Sequence, residues 1–192
     1  MMDIYESFSC HTLLPVKIDD VLEYVKDYEA DCEIIFYPDP ELKKSTCWSY
    51  LHSFVETRLY GKVVTVHRIV HSTELDEDEL RLAVCKELLH ILDKNNHKAA
   101  STEDVIKLID QICIPANAGI TMPGFNDHTG ALRALAILLP RDALDEIKKA
   151  NTNNSKHSRL TAVEISIAAE IPVGYVRVAL TDEWERLLEL IQ

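Results

Sequence analysis

The spacing of apolar and polar residues changes along the chain, and each change marks an element. Between Pro15 and Tyr28, Val16, Val21, Leu22 and Val25 are separated by acids, the spacing of a helix with one apolar face. Residues 32–37 include Ile34, Ile35 and Phe36 and suit a short strand, which Pro38-Asp39-Pro40 ends. Residues 53–60 and 62–70 are dominated by β-branched and aromatic side chains, and Gly61 between them predicts a hairpin.

Beyond Val70 the period lengthens. A long helix is expected from Thr73 or Asp76 to about Lys94, because these two residues suit a capping pair and Glu74 to Glu79 suit the positive end of a helix dipole. Residues 103–113 are a further helix candidate. The Pro, Gly and Asn content of PANAGITMPGFNDHTG, residues 115–130, predicts a loop. Residues 131–139 are apolar and helical, and Pro140 both stops that helix and suits the first turn of the next, over 141–150. The polar run 151–158 reads as a surface connection, and short helices are expected over 160–170, 173–180 and 182–191. The expected fold is therefore α+β and mostly helical, with a sheet of about three strands beside the 76–94 helix. A domain over residues 1–150 would carry a C-terminal helical segment, 151–192, packed upon it.

Composition narrows the class. Hydrophobic residues make up 47% and charged residues 27%, as in an ordinary soluble domain. No apolar run reaches the roughly 18–20 residues that cross a bilayer. The first residues, MMDIYESFSCHTLLPVK, lack the basic and apolar regions of a secretory signal. Five scattered cysteines with no CxxC spacing argue against a disulfide framework or a cysteine-rich zinc site, and a cytoplasmic location is expected. The formal charge of -12, with basic clusters no larger than Lys43-Lys44 and Lys148-Lys149, makes direct nucleic-acid binding a poor fit. Five glycines form no phosphate loop.

The candidate chemistry lies in LRLAVCKELLHILDK, residues 80–94. In an HExxH helix, histidines at i and i+4 reach one zinc while the intervening glutamate activates water. Here Lys86 precedes Glu87, and His90 follows at the second histidine's position. On a helix these three form one polar edge, opposite Leu80, Val84, Leu88, Ile91 and Leu92. A protonated lysine has no lone pair for a metal. Taken alone, the residues also fit a purely structural amphipathic helix. Cys85 reads as a small core residue. His67 and His71 share an i, i+4 spacing, but a strand followed by a turn does not make that spacing converge.

RLAVCKELLHILDK resembles the segment written RFxxAHELGHxLL in the ImmA/IrrE family of metallopeptidases, with Arg81 at the matching arginine. GALRALAILLP, residues 130–140, resembles that family's ExxANxFAxxLLMP helix. EISIAAEIPVGYVRVAL, residues 164–180, resembles its closing segment, with Ile165, Ile171, Pro172, Val176 and Leu180 at matching positions. The three segments follow the family's order. The resemblance implies a zincin-like fold and a site of two helix histidines, a glutamate base and a third ligand, usually Glu. By position Glu87 matches the base and His90 the second ligand, whereas Lys86 replaces the first ligand and Leu89 the glycine. The third-ligand position offers His128 and Thr129, with Asp127 adjacent and no Glu.

Three readings follow. In the first, the chain is a disarmed metallopeptidase that binds no metal, Lys86 pairs with Glu87 or Asp127, and the fold serves as a regulatory or protein-binding module. The family's settings, in phage, stress response and toxin–antitoxin pairs, imply a helix-turn-helix regulator as partner. In the second, Glu87, His90 and His128, with Asp127 nearby, form an altered zinc site of a working peptidase. Glu-x-x-His is a known metal-binding spacing on helices. In the third, the chain is a helical interaction domain unrelated to zinc, His128 caps the helix that follows, and Asp127 serves as a charge at its N-terminus. The 164–180 segment has helix-turn-helix spacing but few basic residues nearby (Lys156, Arg159, Arg177), and acids follow it. It reads as a packing element.

Overall fold

The long helix expected after Asp76 forms over Glu77–Leu92, and a three-stranded sheet lies beside it. The structure is a computed structural model that describes residues 2–93, 122–153 and 159–191. The helix expected over 103–113 and residues 154–158 of the surface connection lie outside these. The fold is α+β, as the sequence predicts, with eight helices and the small sheet among the described residues. The chain divides into two compact units: Lys17–Asn95, and Met1–Val16 together with Asn96–Gln192. The expected boundary at residues 150–151 falls inside a helix of the second unit, Arg141–Asn153.

In the first unit, α2 (Ile18–Tyr28) buries Val21 and Val25 on one face, with Asp19 and Asp20 in its first turn and Lys26 in its last. α1 (Met2–Ser9) belongs to the other unit. β1 (Cys32–Asp39) follows α2, then β2 (Ser49–Thr57) and β3 (Val63–Ser72). The strand order is β1-β3-β2, with β1 parallel and β2 antiparallel to the central β3. The expected hairpin is present. Its tip turns through Tyr60 and Gly61, both with positive φ, and the glycine meets that requirement at no steric cost. β2 starts at Ser49 rather than near residue 53, and His71 belongs to β3 rather than to a turn after it.

α3 (Glu77–Leu92) packs on α2, β2 and β3. Asp76 caps it: its side chain accepts from the third helical residue while Glu79 accepts the Asp76 N–H at 3.0 Å. Thr73 takes no part in that box. Lys44 holds Glu79 at 2.6 Å, and Lys43 holds Glu74 at 3.1 Å, so the loop between β1 and β2 is tied to the start of the helix.

In the second unit α4 (Met122–Leu138) begins well inside the segment expected to be a loop. Residues 122–130 are helical because Pro123 falls in the first turn, where its missing N–H has no intrahelical partner to lose. Gly124 and Gly130 are then tolerated at about 1 kcal/mol each relative to alanine. Pro140 accepts the Leu144 N–H at 3.0 Å and opens α5 (Arg141–Asn153). α6 (Ala162–Ala169), α7 (Val173–Ala179) and α8 (Trp184–Ile191) follow. α1, α7 and α8 pack against α4 around Leu132, Leu135, Leu138, Val176 and Trp184, all buried. Ile165, Ile171 and Val176 are also buried, so the helix-turn-helix-like segment contributes to this core. No described helix is long and apolar enough to cross a membrane.

Candidate functional site

The α3 side chains from Leu82 to Leu89 are buried without interruption. That run includes Lys86, 4% exposed, and Glu87, 2% exposed. Of the predicted polar edge, Lys86 and Glu87 are therefore enclosed. Burying a charge is expensive unless it is paired and hydrogen-bonded. Here the Lys86 ammonium lies 2.9 Å from Glu87 Oε1, and the Ser49 hydroxyl donates to the same oxygen at 2.7 Å. Ser49, itself buried, reaches Glu87 because it opens β2 on the sheet face that carries Leu51 and Ile69. Sequence reasoning missed Ser49, since the strand was expected to start four residues later. A small hydroxyl preceding an alternating run was the only available signal.

His90 is partly exposed, and its Nδ1 lies 2.9 Å from Asp93 Oδ2. A carboxylate on one ring nitrogen fixes the imidazole's orientation and leaves Nε2 as a potential donor. Cys85, on the same helix, is fully enclosed, and burial pushes its thiol up to about 12, opposed by the Arg81 charge. Its thiolate is negligible near neutral pH, so it is no nucleophile.

His128 and Thr129 lie on α4, in the second unit, His128 partly exposed and Thr129 buried. Asp127 is on the same helix, and its side chain lies outside the described residues. All three are helical rather than part of a loop. Lys86, Glu87 and His90 lie in the Lys17–Asn95 unit, where the geometry joins Lys86, Glu87 and Ser49 and pairs His90 with Asp93.

The first-ligand position does not fit zinc. An ammonium 2.9 Å from Glu87 offers no lone pair to a metal ion. Among the described residues no three His, Cys, Asp or Glu side chains are grouped to hold a metal ion. Glu87 Oε1 is already engaged by two donors, the Lys86 ammonium and the Ser49 hydroxyl.

A second polar pair lies in the sheet. His67, on β3, is buried, and its Nδ1 lies 2.8 Å from the hydroxyl of Ser53, its directly opposed neighbour on β2. Its Nε2 has no hydrogen-bond partner among the described residues. Burial lowers the His67 pKa below the usual histidine value, against a smaller opposing pull from Glu29. The imidazole is therefore held neutral. The i, i+4 spacing of His67 and His71 does lie within a strand, and Ser53 is the side chain that meets His67.

A cavity of about 190 Å³ in the second unit is lined by Tyr5, Glu6, Arg141, Trp184 and Leu188, and contains none of the sequence-predicted residues. No family model, no curated protein and no solved structure matches the chain.

Proposed function

We propose that this chain is a metallopeptidase-like protein of the ImmA/IrrE type in which a lysine ammonium takes the place of zinc, and that it acts as a regulatory, protein-binding module. The observation that carries the reading is the buried Lys86–Glu87 pair, closed by the Ser49 hydroxyl. In a working HExxH helix the glutamate must accept a proton from a metal-activated water. Here it sits between an ammonium and a hydroxyl, out of contact with bulk solvent, and neutralises a charge. A cation in place of a cation leaves the acidic side chain compensated and the fold intact, while the Lewis acid is gone. With a formal charge of -12, the chain favours a protein partner over nucleic acid. By family resemblance that partner is a helix-turn-helix regulator in a phage, stress-response or toxin–antitoxin setting.

One observation favours a second reading, an altered zinc site using Glu87, His90 and His128. The Asp93 carboxylate on His90 Nδ1 is the arrangement that orients a metal-binding imidazole.

Metal content and peptide cleavage of untagged protein separate the two. The comparison covers the wild type, Lys86→His, and Lys86→His combined with Thr129→Glu or with His128→Glu. The expected result is no zinc and no cleavage in the wild type, weak zinc binding in the single variant and tighter binding in the doubles, as a His₂Glu set is completed. Stoichiometric zinc in the wild type, or cleavage abolished by chelator and by Glu87→Gln, would establish the altered site instead.

A further inference from the structure

The two edges of the sheet are built differently. β1 carries Pro38, which has no N–H, together with the charged Glu33 and Asp39. Proline and charge are the devices that keep an edge from pairing. β2 has neither protection: in nine residues, SYLHSFVET, it holds a single formal charge, Glu56, and no proline. Tyr50 and Val55 are exposed on it, Val55 at 66%.

The ladder shows which backbone groups β2 leaves over. Arg58 N–H donates to the Lys62 carbonyl at 2.8 Å, and Ser72 N–H to the Trp48 carbonyl at 2.9 Å. With Ser49 opposite His71, the even-numbered residues of β2 therefore turn their peptide groups toward β3. Leu51, Ser53, Val55 and Thr57 turn theirs outward, where no backbone hydrogen bond meets them among the described residues.

We infer that β2 pairs antiparallel with β2 of a second copy of this chain, about a two-fold axis at Phe54, to form a six-stranded sheet across the dimer. Side-chain pairing selects that register, because it sets a carboxylate opposite an imidazole rather than opposite a second carboxylate. Antiparallel self-pairing centred on Phe54 places Glu56 of each copy opposite His52 of the other. Phe54 faces Phe54, and Arg58 faces Tyr50. Glu56 and His52 lie on one sheet face, where the His52 and Phe54 rings lie tilted with centroids 5.3 Å apart and Arg68 sits over the Phe54 ring. The peptide groups agree with the same centre. Phe54 forms a non-hydrogen-bonded pair with its copy, where side chains approach most closely, with Cα atoms about 4.5 Å apart. The outward groups of Ser53 meet those of Val55, and those of Leu51 meet those of Thr57. The assembly closes, because each copy spends its unprotected edge and the dimer presents only the two β1 edges with their prolines.

Sedimentation equilibrium of the full chain at micromolar concentration tests this, with far-UV circular dichroism as a check on folding. The wild type is expected at twice the 21.8 kDa chain mass. Val55→Pro removes an outward N–H without touching the β3 ladder, and should raise the dimer dissociation constant roughly tenfold or more. Glu56→Arg should also weaken the dimer, by removing the carboxylate set opposite His52 of the other copy. Combining it with His52→Glu sets opposite charges across the seam and should return the constant to within about threefold of wild type. A monomeric wild type would overturn the inference. So would a dimer whose dissociation constant moves with neither Val55→Pro nor Glu56→Arg.

Discussion

α2 and α3 pack against each other in one unit, yet they answer to water in opposite ways. α2 buries Val21 and Val25 and leaves Glu23, Lys26 and Asp27 in solvent, so its charges need no partner. α3 is enclosed from Leu82 to Leu89, and the two charges inside that run are compensated by each other and by a strand residue. The same residue types therefore carry different weight. On α2 a glutamate contributes solubility. On α3 it is a structural requirement.

The contrast is easiest to break at Glu87. Glu87→Ala leaves the Lys86 ammonium buried without this carboxylate and should cost about 3–5 kcal/mol, read as a fall in the urea midpoint. Replacing the pair together, Lys86→Met with Glu87→Met, should recover much of that loss, since an apolar pair of similar volume carries no desolvation penalty. If the double variant were no more stable than Glu87→Ala, the pair would not be the coupled unit described here.

A smaller effect should come from His67, the other buried titratable group in this unit. Its folded pKa lies below the unfolded value of about 6.5, so the unfolded chain binds the proton more readily. The stability this contributes is fully present above about pH 6.5 and is lost as pH falls from there through the folded pKa. The urea midpoint of the wild type should therefore drop between pH 7.5 and 5 more steeply than that of His67→Gln. Equal slopes would show that the imidazole is not held neutral by burial.

The smallest change belongs to α2. Glu23→Ala should shift stability by no more than about 0.5 kcal/mol, because the side chain is exposed. A loss comparable to that of Glu87→Ala would erase the distinction between the helices.

Much of this was legible in the chain. α2, the hairpin around Gly61, α3 and the apolar stretch of α4 all follow from periodicity and turn residues. α1 was not anticipated, although Ile4, Tyr5 and Phe8 have helical spacing and are buried. The start of α4 was lost because Pro123, Gly124 and Gly130 read locally as a loop, while their cost is offset by the packing of the helix they lead into. At the candidate site, local pattern says nothing of tertiary neighbours. Lys86, Glu87 and His90 form a polar edge on any helical wheel, and a wheel predicts solvent or a cleft on that side. What encloses the first two is tertiary: Ser49 comes from 38 residues away, and only folding brings its hydroxyl to the carboxylate.

Cys85 gives α3 a built-in clock. Thiol reagents attack the thiolate, and this thiol is both enclosed and pushed up to about 12. Cys10, by contrast, is exposed. In a solution of alkylating agent, Cys10 records time from the moment of mixing, whereas Cys85 records only the moments when the helix lets go of its surroundings. The lag between the two labels measures how often that helix opens, residue-specifically and without denaturant.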